Sequence, residues 1–181
     1  NVSLFARSLQ GVRAPSSVIE FGANIGMNLK ALKILYPDIE LHAVEINEDA
    51  AKGLQKYIPE AHVNHVSIMH FEPTRKWDLV LIKGVLIHID PKSLKTVYEK
   101  LIAACGRYLL IAEYYNPSPV TVPYRGHSER LFKRDFAGEI MDAYPELQLR
   151  DYGFIYHRDI SFPQDDITWF LMEKVGKSEH R

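Results

Sequence analysis

Short apolar runs and helical stripes alternate along most of the chain. Residues 17–21 form an apolar run that ends in Gly22-Ala23-Asn24-Ile25-Gly26, after which Ile25, Leu29, Leu32 and Leu35 recur at helical spacing. This pattern predicts strand, glycine turn and helix in succession. Pro37-Asp38 stops that helix and residues 39–45 read as a second strand. Asn47 fits the N-cap of a helix over 48–57, because its side-chain oxygen can accept from a first-turn amide that has no partner inside the helix. Residues 61–66, 77–83 and 108–112 supply three more strands, and the unbroken run Leu79-Val80-Leu81-Ile82 predicts burial on both faces. Between the last two strands, Leu94, Val97, Tyr98, Leu101 and Ile102 form a helical stripe entered at Asp90-Pro91. Strands alternating with helices predict a parallel sheet.

The pattern changes after Glu113. Residues 114–130 are rich in Pro and Tyr and read as a long loop, which in a compact domain usually carries function. A helix over 134–143 follows, then two strand-like runs, 147–156 and 167–174. The polar segment joining them is too short for a crossover helix, so they are expected to pair antiparallel. The fold class expected is a doubly wound, Rossmann-like α/β sheet with helices on both faces. A single domain over 1–175 and a polar tail over 176–181 account for the chain, and no internal repeat interrupts them.

Composition narrows the setting. A chain of 181 residues, 46% hydrophobic and 25% charged, has the size and balance of one globular domain. A formal net charge of −1 leaves no excess of Lys and Arg to neutralise a phosphate backbone, so nucleic acid is a poor partner. The only cysteine, Cys105, falls at the end of an apolar helical stretch and cannot build a disulfide framework or a thiolate cluster within one chain. With no apolar run long enough to span a bilayer, a cytoplasmic location without membrane insertion is expected. The chain has no initiator Met, so native residues are expected ahead of Asn1.

Two chemistries compete for a glycine turn after the first strand: a dinucleotide and S-adenosylmethionine (SAM). A dinucleotide site uses G-x-G-x-x-G, whose second glycine lets the backbone approach the pyrophosphate. Here Glu20-Phe21-Gly22-Ala23-Asn24-Ile25-Gly26 puts a side chain at that point. The acidic residue ahead of the glycines would repel a diphosphate, yet it could attract the ammonium of SAM. SAM is therefore the expected cofactor. Glu45, at the end of the second strand, is placed to accept both ribose hydroxyls, a role that would serve either cofactor.

The runs Val18-Ile19-Glu20-Phe21-Gly22-Ala23-Asn24-Ile25-Gly26, Leu41-His42-Ala43-Val44-Glu45-Ile46-Asn47 and Trp77-Asp78-Leu79-Val80-Leu81-Ile82-Lys83-Gly84-Val85 resemble the motifs of class I SAM-dependent methyltransferases. A narrower resemblance covers nearly the whole chain. Ile111-Ala112-Glu113-Tyr114-Tyr115-Asn116-Pro117, Pro123-Tyr124-Arg125-Gly126-His127, Leu131-Phe132-Lys133-Arg134-Asp135-Phe136-Ala137-Gly138-Glu139 and Phe162-Pro163-Gln164-Asp165-Asp166-Ile167-Thr168-Trp169-Phe170 are similar to the methylase family associated with pseudaminic acid biosynthesis, one of the nonulosonic (sialic-like) sugar pathways of bacterial surface glycans. The resemblance implies a strand order of 3-2-1-4-5-7-6, with the last strand antiparallel. By position it assigns Glu20, Gly22, Asn24 and Gly26 to the methionine end of SAM, Glu45 and Ile46 to ribose and adenine, Ser67 and Ile68 to adenine, and Lys83 to a contact through its carbonyl. The Lys83 ammonium is expected to point away from the sulfonium.

Methyl transfer from a sulfonium is an in-line displacement, so the protein mainly aligns the nucleophile; a hydroxyl acceptor also needs its proton removed. His127, Glu113 and Tyr114 are the expected catalytic groups. Tyr115, Tyr124, Arg125, Arg134 and His157 are the expected contacts to a small-molecule sugar acid, whose carboxylate suits a guanidinium. His88 lies among apolar residues, where a structural histidine is as good a reading as a catalytic one. A metal set from His157, Asp165 and Asp166 matches no recognised spacing, and no metal is expected. Two other functions stay open at this point. One is a noncatalytic SAM-binding partner of a glycan-pathway enzyme. The other is nucleic-acid methylation, which the net charge disfavours.

Overall fold

The computed structural model describes residues 1–124 and 127–176. In chain order it contains α1 (Val2–Ser8), β1 (Ser17–Phe21), α2 (Met27–Leu35), β2 (Glu40–Glu45), α3 (Glu48–Tyr57), β3 (His62–His65), β4 (Trp77–Lys83), α4 (Leu94–Ala104), β5 (Cys105–Glu113), β6 (Val120–Tyr124), β7 (His127–Lys133), α5 (Phe136–Ala143), β8 (Leu147–Ile155) and β9 (Ile167–Lys174). Single 3₁₀ turns at Leu86–His88 and Pro91–Ser93 join β4 to α4.

Seven strands form one sheet in the order β3-β2-β1-β4-β5-β9-β8. The first five are parallel, and β9 runs antiparallel to both β5 and β8. With the hairpin strands β6 and β7 set aside, this is the order 3-2-1-4-5-7-6 expected from the sequence. Strand alternation divides the core into two layers. Ile19, Phe21, Val80 and Ile82 face α4 and α5 through Val97, Leu101, Phe136 and Ile140. Val18, Leu79, Leu81 and Leu110 face α1, α2 and α3 through Phe5, Leu29, Leu32 and Leu54. The stripe Leu94, Val97, Tyr98, Leu101 and Ile102 is buried as its spacing requires, and the Asn47 side chain accepts from Ala50 N at 2.9 Å to cap α3.

Three features differ from the sequence reading. Cys105 opens β5 and does not close the helix; the chain passes from α4 into the strand without a loop, and at Gly106 a Cβ would lie 2.8 Å from the Trp77 carbonyl oxygen. The helix α1 was not foreseen, although Leu4, Phe5, Ser8 and Leu9 are buried along one of its faces. The expected long loop 114–130 contains most of a separate antiparallel hairpin, β6 with β7. Pro123 is tolerated there because a two-stranded ribbon has free edges on both sides. The hairpin packs Leu131 and Val122 onto the α4/α5 side of the core and lies against the 3₁₀ turn at Leu86–His88. No helix among the described residues is long and apolar enough to cross a membrane.

Candidate functional site

The parallel half of the sheet reverses its strand order at β1, between β2 and β4, and the turns leaving the C-terminal ends of these strands build a crevice. Gly22 and Gly26 hold φ of 76° and 84°, and Asn24 between them holds 49°. These are left-handed values that glycine takes freely and Asn tolerates. A side chain at Gly22 would meet Val85 Cγ2 at 2.5 Å, so the turn after β1 and the turn after β4 touch through a position where only a hydrogen fits. Gly22 N and Ala23 N both donate to the Val44 carbonyl, at 2.8 and 3.2 Å, which fastens the turn to the end of β2.

Glu45 completes this fastening. Its Oε2 accepts from Asn24 N and its Oε1 from Asn47 N, each at 2.7 Å, so one nearly buried carboxylate ties the glycine turn to the start of α3. Each carboxylate oxygen can accept more than one hydrogen bond, which leaves capacity for a ligand's hydroxyls. Beside it, Ile46 is 68% exposed, an apolar side chain with no protein partner covering it. Ser67 Oγ accepts from Met69 N and shapes the opposite wall.

The resulting crevice has a volume of about 490 Å³. Of the cofactor residues expected from sequence, Gly22, Asn24, Glu45, Ile46, Ser67 and Ile68 line it together. Glu20, Gly26 and Lys83 stand behind the lining. The structure adds Gly84, Val85 and His88 from the turn after β4, Asn47 after β2 and Met69 after β3. Of these, Gly84 carried a sequence signal, a glycine immediately after an apolar strand, and its φ of 67° shows why it is needed.

Behind the crevice lie two carboxyl groups that water does not reach. Glu20 is fully buried; Oε1 accepts from Asn28 Nδ2 at 2.6 Å and Oε2 has no hydrogen-bond partner among the described residues. Burial pushes its pKa up to about 8, against the opposing pulls of the Asn28 bond and the Lys83 charge. Glu113, at the end of β5, accepts from Val85 N at 2.8 Å and Leu86 N at 2.9 Å through Oε1, while its Oε2 is also unpartnered. Desolvation raises it to about 7, opposed by those amide bonds. This geometry makes Glu113 the cap of the 3₁₀ turn that walls the crevice. Lys83 is half-buried, and its charge acts on both carboxyl groups.

A second cavity, of about 410 Å³, lies at the C-terminal end of β5 and is lined by Tyr114, Lys133, His157, Asp165 and Asp166. Lys133 Nζ stands 5.3 Å from the Tyr114 ring centroid. His157 Nδ1 lies 2.9 Å from both oxygens of Asp166, which also accepts from His157 N. If Nδ1 carries the proton, Nε2 is left as the acceptor. Tyr114 and His157 thus line the same cavity. Tyr115 packs its ring against Phe170 instead, 5.7 Å between centroids. Arg134 is tied to Glu139 at 2.7 Å, whose other oxygen accepts from Tyr98, in a depression between α4 and α5. Arg125 lies outside the described residues, as do the side chains of Tyr124 and His127, whose backbones pair across the hairpin.

No protein-family model matches the chain, and a comparison with curated proteins matches none. Solved structures do match in fold. The 1,6-didemethyltoxoflavin-N1-methyltransferase of Burkholderia thailandensis, solved with its acceptor and S-adenosylhomocysteine (SAH), superposes with a TM-score of 0.74 at 14% identity over 97% of this chain and 76% of its own. The N-methyltransferase NodS of Bradyrhizobium japonicum, in complex with SAH, gives 0.73 at 14% identity over 95% and 84%. The magnesium protoporphyrin IX methyltransferase of Synechocystis, with bound SAM, gives 0.66 at 15% identity over 95% and 76%. The seven-stranded sheet with its antiparallel β9 is the Rossmann-like fold that these small-molecule methyltransferases share.

Proposed function

We propose that this chain is a SAM-dependent methyltransferase that modifies an oxygen or nitrogen of a small acidic molecule, with a nonulosonic acid or its precursor as the leading acceptor. The observation that carries the cofactor assignment is the crevice at the β1/β2/β4 strand ends, where residues expected from three separate motifs converge. The residues present fit SAM. Glu20 offers an unpartnered buried oxygen for an ammonium, Glu45 has acceptor capacity for two ribose hydroxyls, and exposed Ile46 gives an adenine an apolar face. A dinucleotide fits less well, because a pyrophosphate would meet the Asn24 side chain where a dinucleotide turn has a glycine.

When bound, SAM supplies a methyl group on a sulfonium; attack by the acceptor breaks the carbon–sulfur bond, releases SAH and leaves the acceptor's proton to be removed. Glu45 and the glycine turn orient the cofactor, and Glu113, by holding Val85 N and Leu86 N, positions the wall on the acceptor side. Lys133 and Tyr114 are the described groups suited to an anionic sugar, one as a point charge and the other as a flat face. His157, with Nδ1 on Asp166, is suited to take a hydroxyl proton at Nε2, and His127 shares that candidacy by its place in β7. The sugar assignment rests on the motif resemblance together with this mixed cationic and aromatic cavity.

The test is turnover. SAH release should be seen with free or nucleotide-activated nonulosonic acids and not with RNA or DNA. Saturable SAM binding without release on any of these would favour a noncatalytic SAM-binding protein, and release with RNA or DNA alone would overturn the small-molecule reading.

A further inference from the structure

A second cluster of ligand-type side chains lies at the opposite end of the sheet from the crevice. The two-residue period of a strand puts Glu40 and His42 on one face of β2, and the parallel register sets His62 of β3 directly beside His42. The ligand atoms of Glu40, His42 and His62 all fall within 4.8 Å of one another. His42 Nε2 lies 2.8 Å from Glu40 Oε1, and the two imidazoles stack with centroids 4.7 Å apart. We propose that Glu40, His42 and His62 form a binding site for a divalent transition cation of the Zn²⁺ class, with water as the remaining ligand.

Two imidazoles and one carboxylate are a recognised donor set for zinc, bound at about 2.0–2.2 Å. Closing the present spacing to that geometry takes a rotation of His62, which is exposed and free of packing constraints on its outer side. Arg75 is the competing charge: its guanidinium takes both oxygens of Glu40, at 3.0 and 2.8 Å, while lying 5.5 Å from the Trp77 ring. A cation between Glu40 Oε1 and His42 Nε2 would replace the hydrogen bond they now share and the Arg75 bond to Oε1, leaving Arg75 on Oε2. Glu45 lies three residues beyond His42 along β2, about 10 Å at ~3.3 Å per residue, so a cation here does not touch a methyl group in the crevice. It would instead clamp β3, the four-residue edge strand, to β2.

Zn²⁺ titrated into the untagged full chain should bind at one equivalent with micromolar affinity and raise the unfolding temperature. His62→Ala should weaken binding at least tenfold and abolish the thermal shift, and Glu40→Gln should act in the same direction. Arg75→Gln should tighten binding severalfold by removing the competing charge. Trp77, 5.2 Å from His42 between ring centroids, supplies a local readout: Ni²⁺ or Cu²⁺ should quench its fluorescence in the wild type and not in His62→Ala. A Kd weaker than about 100 µM for Zn²⁺, or binding that survives His62→Ala and Glu40→Gln and disappears in His157→Ala, would overturn the site.

Discussion

The crevice at the β1/β2/β4 strand ends and the cavity at the end of β5 are built on different principles. On the cofactor side, the turns after β1, β2 and β4 are pinned to one another by backbone contacts: Gly22 N to Val44 O, Asn24 N to Glu45, and Gly22 against Val85. Around the second cavity, Tyr114, Lys133, His157 and Asp166 come from three separate segments of the chain, and several of them are half exposed. A site that must hold one fixed cofactor is written into strand-end turns, whose geometry tolerates few residues. The proposed acceptor site sits on a hairpin and an inter-strand segment, which can vary without disturbing the sheet. Substitutions on the first side should therefore cost stability and cofactor affinity together, and those on the second should change acceptor kinetics alone.

The largest effect is expected at Glu45. Glu45→Ala removes two hydrogen bonds to an ionised acceptor and leaves two amides to find new partners, a loss of about 3 kcal/mol or more of folding stability by urea denaturation. Gly22→Ala comes next: a Cβ at φ 76° and 2.5 Å from Val85 should cost about 2 kcal/mol and weaken SAM binding, measured by the same unfolding curve and by calorimetry.

Glu20 gives a pH-dependent test. Its folded pKa of about 8 lies above the unfolded value of 4.5, so the folded state keeps a proton that the unfolded state has released, and this group makes stability fall as pH rises between those values. Glu20→Gln should match the wild type near pH 4 and exceed it near pH 9 in thermal unfolding. An ammonium arriving beside Glu20 would restore the carboxylate, so SAM binding at pH 7 should release a proton. Calorimetry in buffers of different ionisation enthalpy reads that release, and none should be seen with Glu20→Gln. The smallest change in stability is expected for Lys133→Ala: under about 0.5 kcal/mol, with a raised KM for the acidic acceptor and unchanged SAM affinity. A comparable loss of SAM affinity in Lys133→Ala would erase the contrast between the two sides.

The same contrast explains what could be read from sequence. The Asn47 cap, the α4 stripe and the glycine turn are local, each decided within about ten residues by periodicity or turn chemistry. The capture of Val85 and Leu86 amides by Glu113 joins segments more than 25 residues apart, and no spacing rule marks it. Arg134 reads from sequence as a guanidinium suited to an acidic substrate, but Glu139, one helical turn into α5, pairs with it. The hairpin itself was legible in part: Val120-Thr121-Val122 is β-branched throughout, yet the flanking prolines and the polar residues that follow outweighed it. The helix α1 does carry a local signal, since Phe5, Ser8 and Leu9 have helical spacing.

The most direct measurement is calorimetric titration of the full chain with SAM, comparing the wild type with Glu45→Ala. The account predicts one saturable site per chain in the wild type and affinity at least tenfold weaker in Glu45→Ala, because the carboxylate that orders the turn is also the proposed ribose acceptor. Absence of binding in the wild type, or equal affinity in a Glu45→Ala protein that remains folded at the titration temperature, would contradict it.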